Sequence, residues 1–230
     1  MPADPWSTPT SYESTASSEA AFVAKVYRWM AGGLALTGLF AWAVVSSPGL
    51  QRAVLGNPIV FFGLIIGELV MVIAFSRVVR RASFGTAAAM FLAYCALSGL
   101  TFSVYFFAYT RESIASTFFI TGGAFAAMSA YGTLTKKDLT GWGQFLMMGL
   151  VGVLIALVVN IFLRSPALNF VVSCMGVVVF TGLTAYDAQK IKAYAQAGDD
   201  RLALHGALQL YLDFINLFIM LLQLFGRRRE

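Results

Sequence analysis

The sequence predicts an all-α membrane protein built from seven hydrophobic helices. Three observations support this fold class: 59% of the 230 residues are hydrophobic, only 12% are charged, and long apolar stretches recur along the chain. A helix of ~20 apolar residues is long enough to cross the ~30 Å hydrocarbon core of a bilayer. A soluble domain of this length has no use for so much apolar surface, so we expect the chain to span a membrane.

The elements follow in order along the chain. Residues 1–20 are rich in Ser, Thr, Pro and Glu and cannot bury enough apolar surface to fold, so we expect a disordered tail. Residues 21–230 are expected to form one transmembrane domain, because the connections between apolar stretches are too short for a second domain. The apolar stretches predict spans at residues 26–46, 59–76, 84–108, 113–134, 142–163, 167–188 and 207–225.

The distribution of basic residues predicts the orientation. Ten lie on the side of the N-terminus and of the even-numbered connections, and three lie on the other side: Lys25, Arg28, Arg77, Arg80, Arg81, Lys136, Lys137, Lys190, Lys192 and Arg201 against Arg52, Arg111 and Arg164. The positive-inside rule therefore predicts a cytoplasmic N-terminus. Seven crossings would then leave the basic residues 227–229 outside, so the sequence alone allows either a full crossing or a re-entrant last segment.

The last segment carries polar residues along one face. Intervals of three or four residues, which align side chains on a helix, separate His205, Gln209, Asp213, Asn216, Met220 and Gln223. Isolated amides of this kind can simply hydrogen-bond neighbouring helices. A stripe that includes an aspartate indicates a central helix beside a hydrated path.

Asp187 and Asp213 are two carboxylates in apolar surroundings. A carboxylate inside a membrane costs ~2.5–3.5 kcal/mol even on the most lenient scale, so it is expected to face water, a cation or a partner group. If the last two spans form a hairpin turning at residues 198–201, both lie thirteen positions from Asp200 and reach the same depth. Two adjacent carboxylates cannot both ionise cheaply, so we expect a shared proton. The alternative is two unrelated charges, paired with Lys190 and an arginine.

Three segments resemble signatures of the bacterial branch of the transmembrane Bax inhibitor motif family. They are TKKDLTGWG at residues 135–143, AYDAQKI at 185–191 and ALQLYLDFINLF at 207–218. The resemblance, which extends from about residue 20 to the end, implies a C-terminal helix that is central and surrounded by the other six. It also implies a pH-sensitive calcium leak channel of the bacterial inner membrane, with a di-aspartyl proton sensor, no enzymatic activity and no cofactor.

The resemblance also implies roles for individual residues. Asp187 and Asp213 match the proton-sensing pair and would hold Ca²⁺ weakly and transiently. Glu68 and Arg80 are the candidates for a glutamate and an arginine of the second span, and Arg77 or Arg81 could replace Arg80. In the family's closed state an arginine of this region contacts the first aspartate, and protonation or ion entry breaks the contact.

Calcium ligation supports a conducting role independently. Calcium prefers six to eight oxygen ligands, and Asp187, Asp213, Glu68 and Asn216 offer too few for a tight site, with Gln209 as a further polar contact. Weak, incomplete ligation is what conduction requires. We therefore expect membrane lipid, calcium ions and protons as partners. Basic residues at the span ends follow from topology and anionic lipid and do not require nucleic acid.

Two other function classes can be weighed against a channel. Intramembrane aspartyl proteases also use two helix-borne aspartates, one in a Tyr-Asp pair like Tyr186-Asp187, but their second aspartate follows Gly-x-Gly, whereas Leu210-Tyr-Leu212 precedes Asp213. That bulk argues against a protease. Some bacterial relatives are described as regulators of a membrane-bound ATP-dependent protease, without transport activity. The sequence leaves this alternative open.

Overall fold

In the computed structural model, the backbone is described for residues 10–229 and the side chains for residues 17–229. The elements are all helices: α1 Thr10–Ser46, α2 Pro48–Val54, α3 Pro58–Val78, α4 Phe84–Ala108, α5 Arg111–Leu134, α6 Thr140–Leu163, α7 Pro166–Gln196 and α8 Asp200–Phe225. All except the short α2 are long and apolar enough to span a membrane, α1 from Ser17 onward. The seven predicted spans are thus confirmed, with most helices extending beyond the predicted ends.

Capping residues explain why the helices begin where they do. A side-chain oxygen accepts a hydrogen bond from the first turn at Ser47, Asn57, Ser83, Thr110, Ser165 and Asp199. Each such cap satisfies a backbone N–H that the helix itself leaves unpaired and contributes ~1 kcal/mol. Prolines at the start of α2, α3 and α7 add to this signal, because proline lacks the N–H that would be unpaired there.

The N-terminal part of the chain differs from the expected disordered tail. Helix α1 begins at Thr10, so residues 10–20 are helical, while residues 1–9 lie outside the described part. No proline or glycine occurs between Thr10 and Met30, so the helix nucleated by the first span can extend backward one residue at a time. Glu19 also contacts Lys192 Nζ of α7 at 3.4 Å, which holds this extension against the bundle.

Helix α8 has the largest buried share of its apolar stretch among the seven candidate spans of the described chain. It contacts α7, α1, α5 and α4, and 56% of its most apolar stretch is buried. Helices α3 and α6 lie at the periphery, where α3 packs mainly on α4 and α6 on α7. The placement of α8 inside a ring of all six other helices remains a prediction.

The C-terminal end shows how the last segment runs. Helix α8 is one continuous helix of 26 residues, with no re-entrant break. The segment after it pairs with the α4–α5 connection, because Thr110 N donates to Arg227 O and Arg229 N donates to Ala108 O, both at 3.0 Å. In a bundle of seven crossings the C-terminus and the α4–α5 connection lie on the same face, so the contact agrees with a full crossing. Which face is cytoplasmic remains a prediction.

Candidate functional site at the interface of the last two helices

Asp187 of α7 and Asp213 of α8 meet at the interface of the last two helices. The two helices form the predicted hairpin, which turns through Ala197, Gly198 and Asp199, with Gly198 at a positive φ of 64° that glycine adopts without strain. Asp187 is 9% exposed and Asp213 is 4% exposed. They are close enough for the charge of Asp187 to act on Asp213. The structure therefore brings the two predicted residues together.

Glycines on α5 and α6 hold the segment around Asp187 in place. A Cβ at Gly132 would overlap the backbone carbonyl of Ala185, and a Cβ at Gly143 would overlap the ring of Tyr186. These close approaches let α7 press its backbone against both neighbouring helices. They fix the position of Asp187, the next residue along the chain.

Gln189 connects two of the three segments that resemble family signatures. Its Oε1 accepts a hydrogen bond of 2.9 Å from Leu139 N, and its Nε2 donates to Lys137 O at 2.7 Å. The amide thus joins the 135–143 segment to the 185–191 segment and pairs backbone groups of the α5–α6 connection. Sequence reasoning gave Gln189 no role, although its place in the AYDAQKI motif was a signal that could have found it.

Gln209 links the two helices beside the aspartates. Its Nε2 donates to Asp187 Oδ1 at 3.3 Å, and its Oε1 accepts from the hydroxyl of Tyr194 at 3.3 Å. Asp213 lies one turn further along α8, where its Oδ2 is buried without a hydrogen-bond partner among the described residues. An unpaired buried carboxylate oxygen is costly, so this position favours a proton or a cation.

Lys190 is the cation whose charge acts on both carboxyl groups. Its Nζ lies over the rings of Tyr186 and Tyr194, at 5.6 and 5.8 Å from their centroids. No ion pair in the described chain includes Asp187 or Asp213, so Lys190 acts on them at longer range. The sequence suggested Lys190 only as a partner in the alternative of two unrelated charges.

The predicted contact between Asp187 and an arginine of the second span is not formed in this structure. Arg80 lies in the turn after α3 and its charge reaches Tyr194 and His205 rather than either aspartate. Arg77 lies in the last turn of α3. Arg201 instead joins the α7–α8 turn to the α3–α4 turn, because its guanidinium donates to both carboxylate oxygens of Asp199 and to Ala82 O at 3.2 Å.

Glu68 and Asn216 lie together at a second polar position. Glu68 accepts a hydrogen bond of 2.5 Å from the Thr101 hydroxyl of α4. It lines a cavity of about 200 Å³ with Asn216 of α8, whose Nδ2 donates to Leu212 O at 2.8 Å. Asn216 follows Asp213 by one turn, so the polar stripe of α8 leads from the aspartates to this cavity. The sequence placed Glu68 near the path but gave no indication of Thr101.

The residues at the two ends of the polar stripe, Gln223 and His205, contact neighbouring helices. Gln223 Oε1 accepts a hydrogen bond of 2.9 Å from the Ser173 hydroxyl of α7. His205 stacks on Phe75 at 6.4 Å. Among the described residues, no group of three or more His, Cys, Asp or Glu side chains is arranged to hold a metal ion. Any calcium bound here therefore relies on two carboxylates at a time, supplemented by amide and backbone oxygens.

These features define a polytopic membrane protein with seven helices long enough to span the membrane and two buried carboxyl groups between its last two helices. The family model described as inhibitor of apoptosis-promoting Bax1 matches residues 19–230. The chain belongs to this family, and the match confirms the resemblance drawn from the three sequence segments.

Several bacterial proteins are similar in sequence to this chain over nearly their whole length. The chain is 46% identical over 215 residues to the inner membrane protein YbhL of Escherichia coli K12, covering 90% of this chain and 92% of that protein. It is 45% identical over 215 residues to an uncharacterized protein of Borreliella burgdorferi, covering 91% and 93%. It is 36% identical over 214 residues to a membrane protein of Streptococcus pyogenes, covering 90% and 92%. Seven apolar helices and the first relative fit a multi-pass inner membrane protein.

Proposed function

We propose that the protein is a pH-sensitive calcium leak channel of the inner membrane, gated by a proton shared between Asp187 and Asp213. The observation that carries the proposal is the pairing of two buried carboxyl groups across the α7–α8 interface, one of them with an oxygen that no described group pairs. A carboxyl pair inside a membrane is expensive to maintain, and proton relays and ion paths are the usual reasons for it.

Contacts across the interface provide the closing force. Gln209 of α8 is bonded to Asp187 of α7, and Lys190 of α7 attracts Asp213 of α8. A proton on the pair removes negative charge and weakens the attraction to Lys190. An entering cation does the same by competing with the lysine for the carboxylates. Protons and calcium therefore act on one set of interactions, and the leak should rise as the pair becomes protonated.

The polar stripe of α8 gives the ion a route. From the aspartates it continues to Asn216 and to the cavity that Glu68 lines. Each position offers few oxygen ligands, so calcium would bind weakly and move on, as conduction requires. This role needs neither a catalytic residue nor a cofactor, and Ca²⁺ is the transported ion.

Calcium flux into liposomes tests the proposal. The purified full chain should admit Ca²⁺ with a rate that changes several-fold between pH 8 and pH 6, since one proton allows at most ~tenfold per unit. Asp213→Asn removes the titrating charge and should leave less than about a twofold change over the same range. Glu112→Gln is the matched control, because it removes one charge from an exposed position in the first turn of α5.

The same assay separates the channel from the alternative. Absence of flux from wild-type liposomes would contradict the proposal and would favour a regulator of a membrane-bound protease. An equal loss of pH dependence in Glu112→Gln and Asp213→Asn would show that the pair is not the sensor.

A further inference from the structure

A large apolar cavity lies on the opposite flank of α8 from the aspartates. Its volume is about 620 Å³, within the ~300–1,000 Å³ range of sites that hold small organic ligands. Aromatic side chains from four helices contribute to its wall: Trp42, Phe106, Phe118, Phe119, Phe214 and Phe218. Phe118 packs on Phe214 and Phe218 with centroid distances of 5.4 and 6.4 Å, which makes α8 the floor of the cavity.

The helix packing explains the opening. Helix α1 packs on α4 and α8, whereas α5 packs on α7 and α8, so α1 and α5 diverge above α8. Gly38 lines the gap, and a Cβ added there would meet no atom within 4 Å. Trp42 is 62% exposed and Phe119 is 77% exposed at this side. In a membrane these residues face lipid, so the cavity opens sideways into the hydrocarbon layer.

The hydroxyl group buried in the α1 wall of the cavity is already hydrogen-bonded within the protein. Thr37 is the hydroxyl residue deepest on the α1 wall, and its Oγ1 shares a 2.7 Å hydrogen bond with the Tyr211 hydroxyl. It also donates to Cys95 O at 2.9 Å. Because this hydroxyl is fully occupied, the walls present carbon atoms to an occupant. An alkyl chain suits such a lining better than a sugar, peptide or ion.

One end of the cavity carries a positive charge. Arg111 is the charged residue of the lining and the first residue of α5, so it lies at the boundary of the membrane. It makes no ion pair with an acidic side chain of residues 17–229. A guanidinium binds a phosphate through two parallel hydrogen bonds, and tryptophans such as Trp42 concentrate at the same depth.

We propose that this cavity binds an anionic phospholipid, with an acyl chain between α1 and α5 and its phosphate at Arg111. The apolar walls, the lateral opening and the positive charge of Arg111 at headgroup depth together match the two halves of that molecule. Phe214 of the floor follows Asp213 directly, so a bound chain touches the helix that carries the carboxyl pair. The site does not depend on the channel function.

Lipid binding to the purified full chain tests the proposal. Native mass spectrometry would compare phosphatidylglycerol with phosphatidylcholine of the same acyl chains. Wild-type protein should prefer the anionic lipid about fivefold, the effect of one arginine near the membrane surface. Arg111→Gln should remove that preference and Arg111→Lys should keep most of it. Gly38→Leu, which fills the cavity, should weaken binding of both lipids.

Matched variants separate the site from general membrane association. Arg52→Gln removes a basic residue outside the cavity lining, and Gly152→Leu adds the same side chain at an open position of the peripheral α6. Both should bind lipid like the wild type, and thermal unfolding would confirm that every variant is folded. Equal affinity for the two lipids in the wild type would overturn the proposal. Losses in Arg52→Gln or Gly152→Leu as large as those in Arg111→Gln or Gly38→Leu would also overturn it.

Discussion

Helices α6 and α8 are nearly equal in length, with 24 and 26 residues, yet their surroundings are opposite. Only 11% of the most apolar stretch of α6 is buried, whereas 56% of the corresponding stretch of α8 is buried. Helix α6 is apolar almost all around and has no acidic or basic residue between Gly141 and Leu163. Helix α8 has its polar stripe and Asp213, and it contacts four other helices.

The contrast shows that in this chain polarity, rather than hydrophobicity, marks the interior. Lipid is as apolar as a leucine side chain, so a helix gains little by hiding apolar surface from it. Polar side chains do have to be hidden, because lipid cannot hydrogen-bond them. Helix α8, with its continuous polar stripe, is accordingly the candidate span with the largest buried share of its apolar stretch. Helix α3 is the instructive exception, since it is peripheral yet places Glu68 against Thr101 of α4.

Truncating one leucine in α6 and one in α8 tests this contrast with the largest expected effect. Leu217 of α8 is fully buried, and Leu217→Ala should lower the free energy of unfolding by ~2–5 kcal/mol because it leaves a cavity among packed neighbours. Leu154 of α6 is 49% exposed, and Leu154→Ala should cost much less, since lipid chains can fill the space. Thermal or denaturant unfolding in detergent measures both. Equal losses would show that α6 is as tightly packed as α8.

Asp187→Asn should have the next largest effect, on gating. The amide keeps the size of the side chain but loses the negative charge that accepts the hydrogen bond from Gln209 across the α7–α8 interface. The closing attraction then weakens, and the calcium leak of liposomes at neutral pH should rise several-fold, up to the ~tenfold expected from a loss of ~1.4 kcal/mol in the closed state. Asp213→Asn, which removes the charge that Lys190 attracts, is expected also to flatten the pH dependence, and this difference in outcome would be hard to ascribe to misfolding. A reduced leak in Asp187→Asn would contradict the gating scheme.

The sequence predicted the features that depend on local structure, and it was less informative about those that depend on contacts between distant helices. Spans could be placed because apolar length is set by bilayer thickness, and the facing of Asp187 and Asp213 follows from the constant rise of two helices joined by a short turn. The cation beside the pair was harder to predict. Whether Lys190 or Arg80 lies nearer depends on how α3 and α7 pack and on long flexible side chains, and no local pattern encodes these.

Glu68→Gln should give a smaller effect on flux. The amide can still accept the hydrogen bond from Thr101, so the packing of α3 on α4 should be retained. The cavity shared with Asn216 loses its only acidic group among the lining residues, and calcium conduction should fall about two- to threefold as one weak ligand loses its charge. Flux of a monovalent cation, measured in the same liposomes, should change less. An unchanged calcium flux would place the ion route elsewhere.

The smallest expected effect concerns the turn between α7 and α8. Arg201 holds the pKa of Asp199 below its ordinary value through hydrogen bonds and charge attraction. A carboxyl group with a lowered pKa stabilises the fold at neutral pH, and this contribution is lost as the pH falls through the lowered value. Asp199→Asn keeps a helix cap at this position and removes the charge, so it should lower stability by less than ~1 kcal/mol. The difference in melting temperature between wild type and Asp199→Asn should stay constant from pH 8 to pH 6, shrink as the pH falls below the unperturbed value of about 3.9, and disappear only below the lowered pKa of Asp199, where both side chains are neutral. A difference that persisted in acid would mean that shape, rather than charge, ties this turn to Ala82.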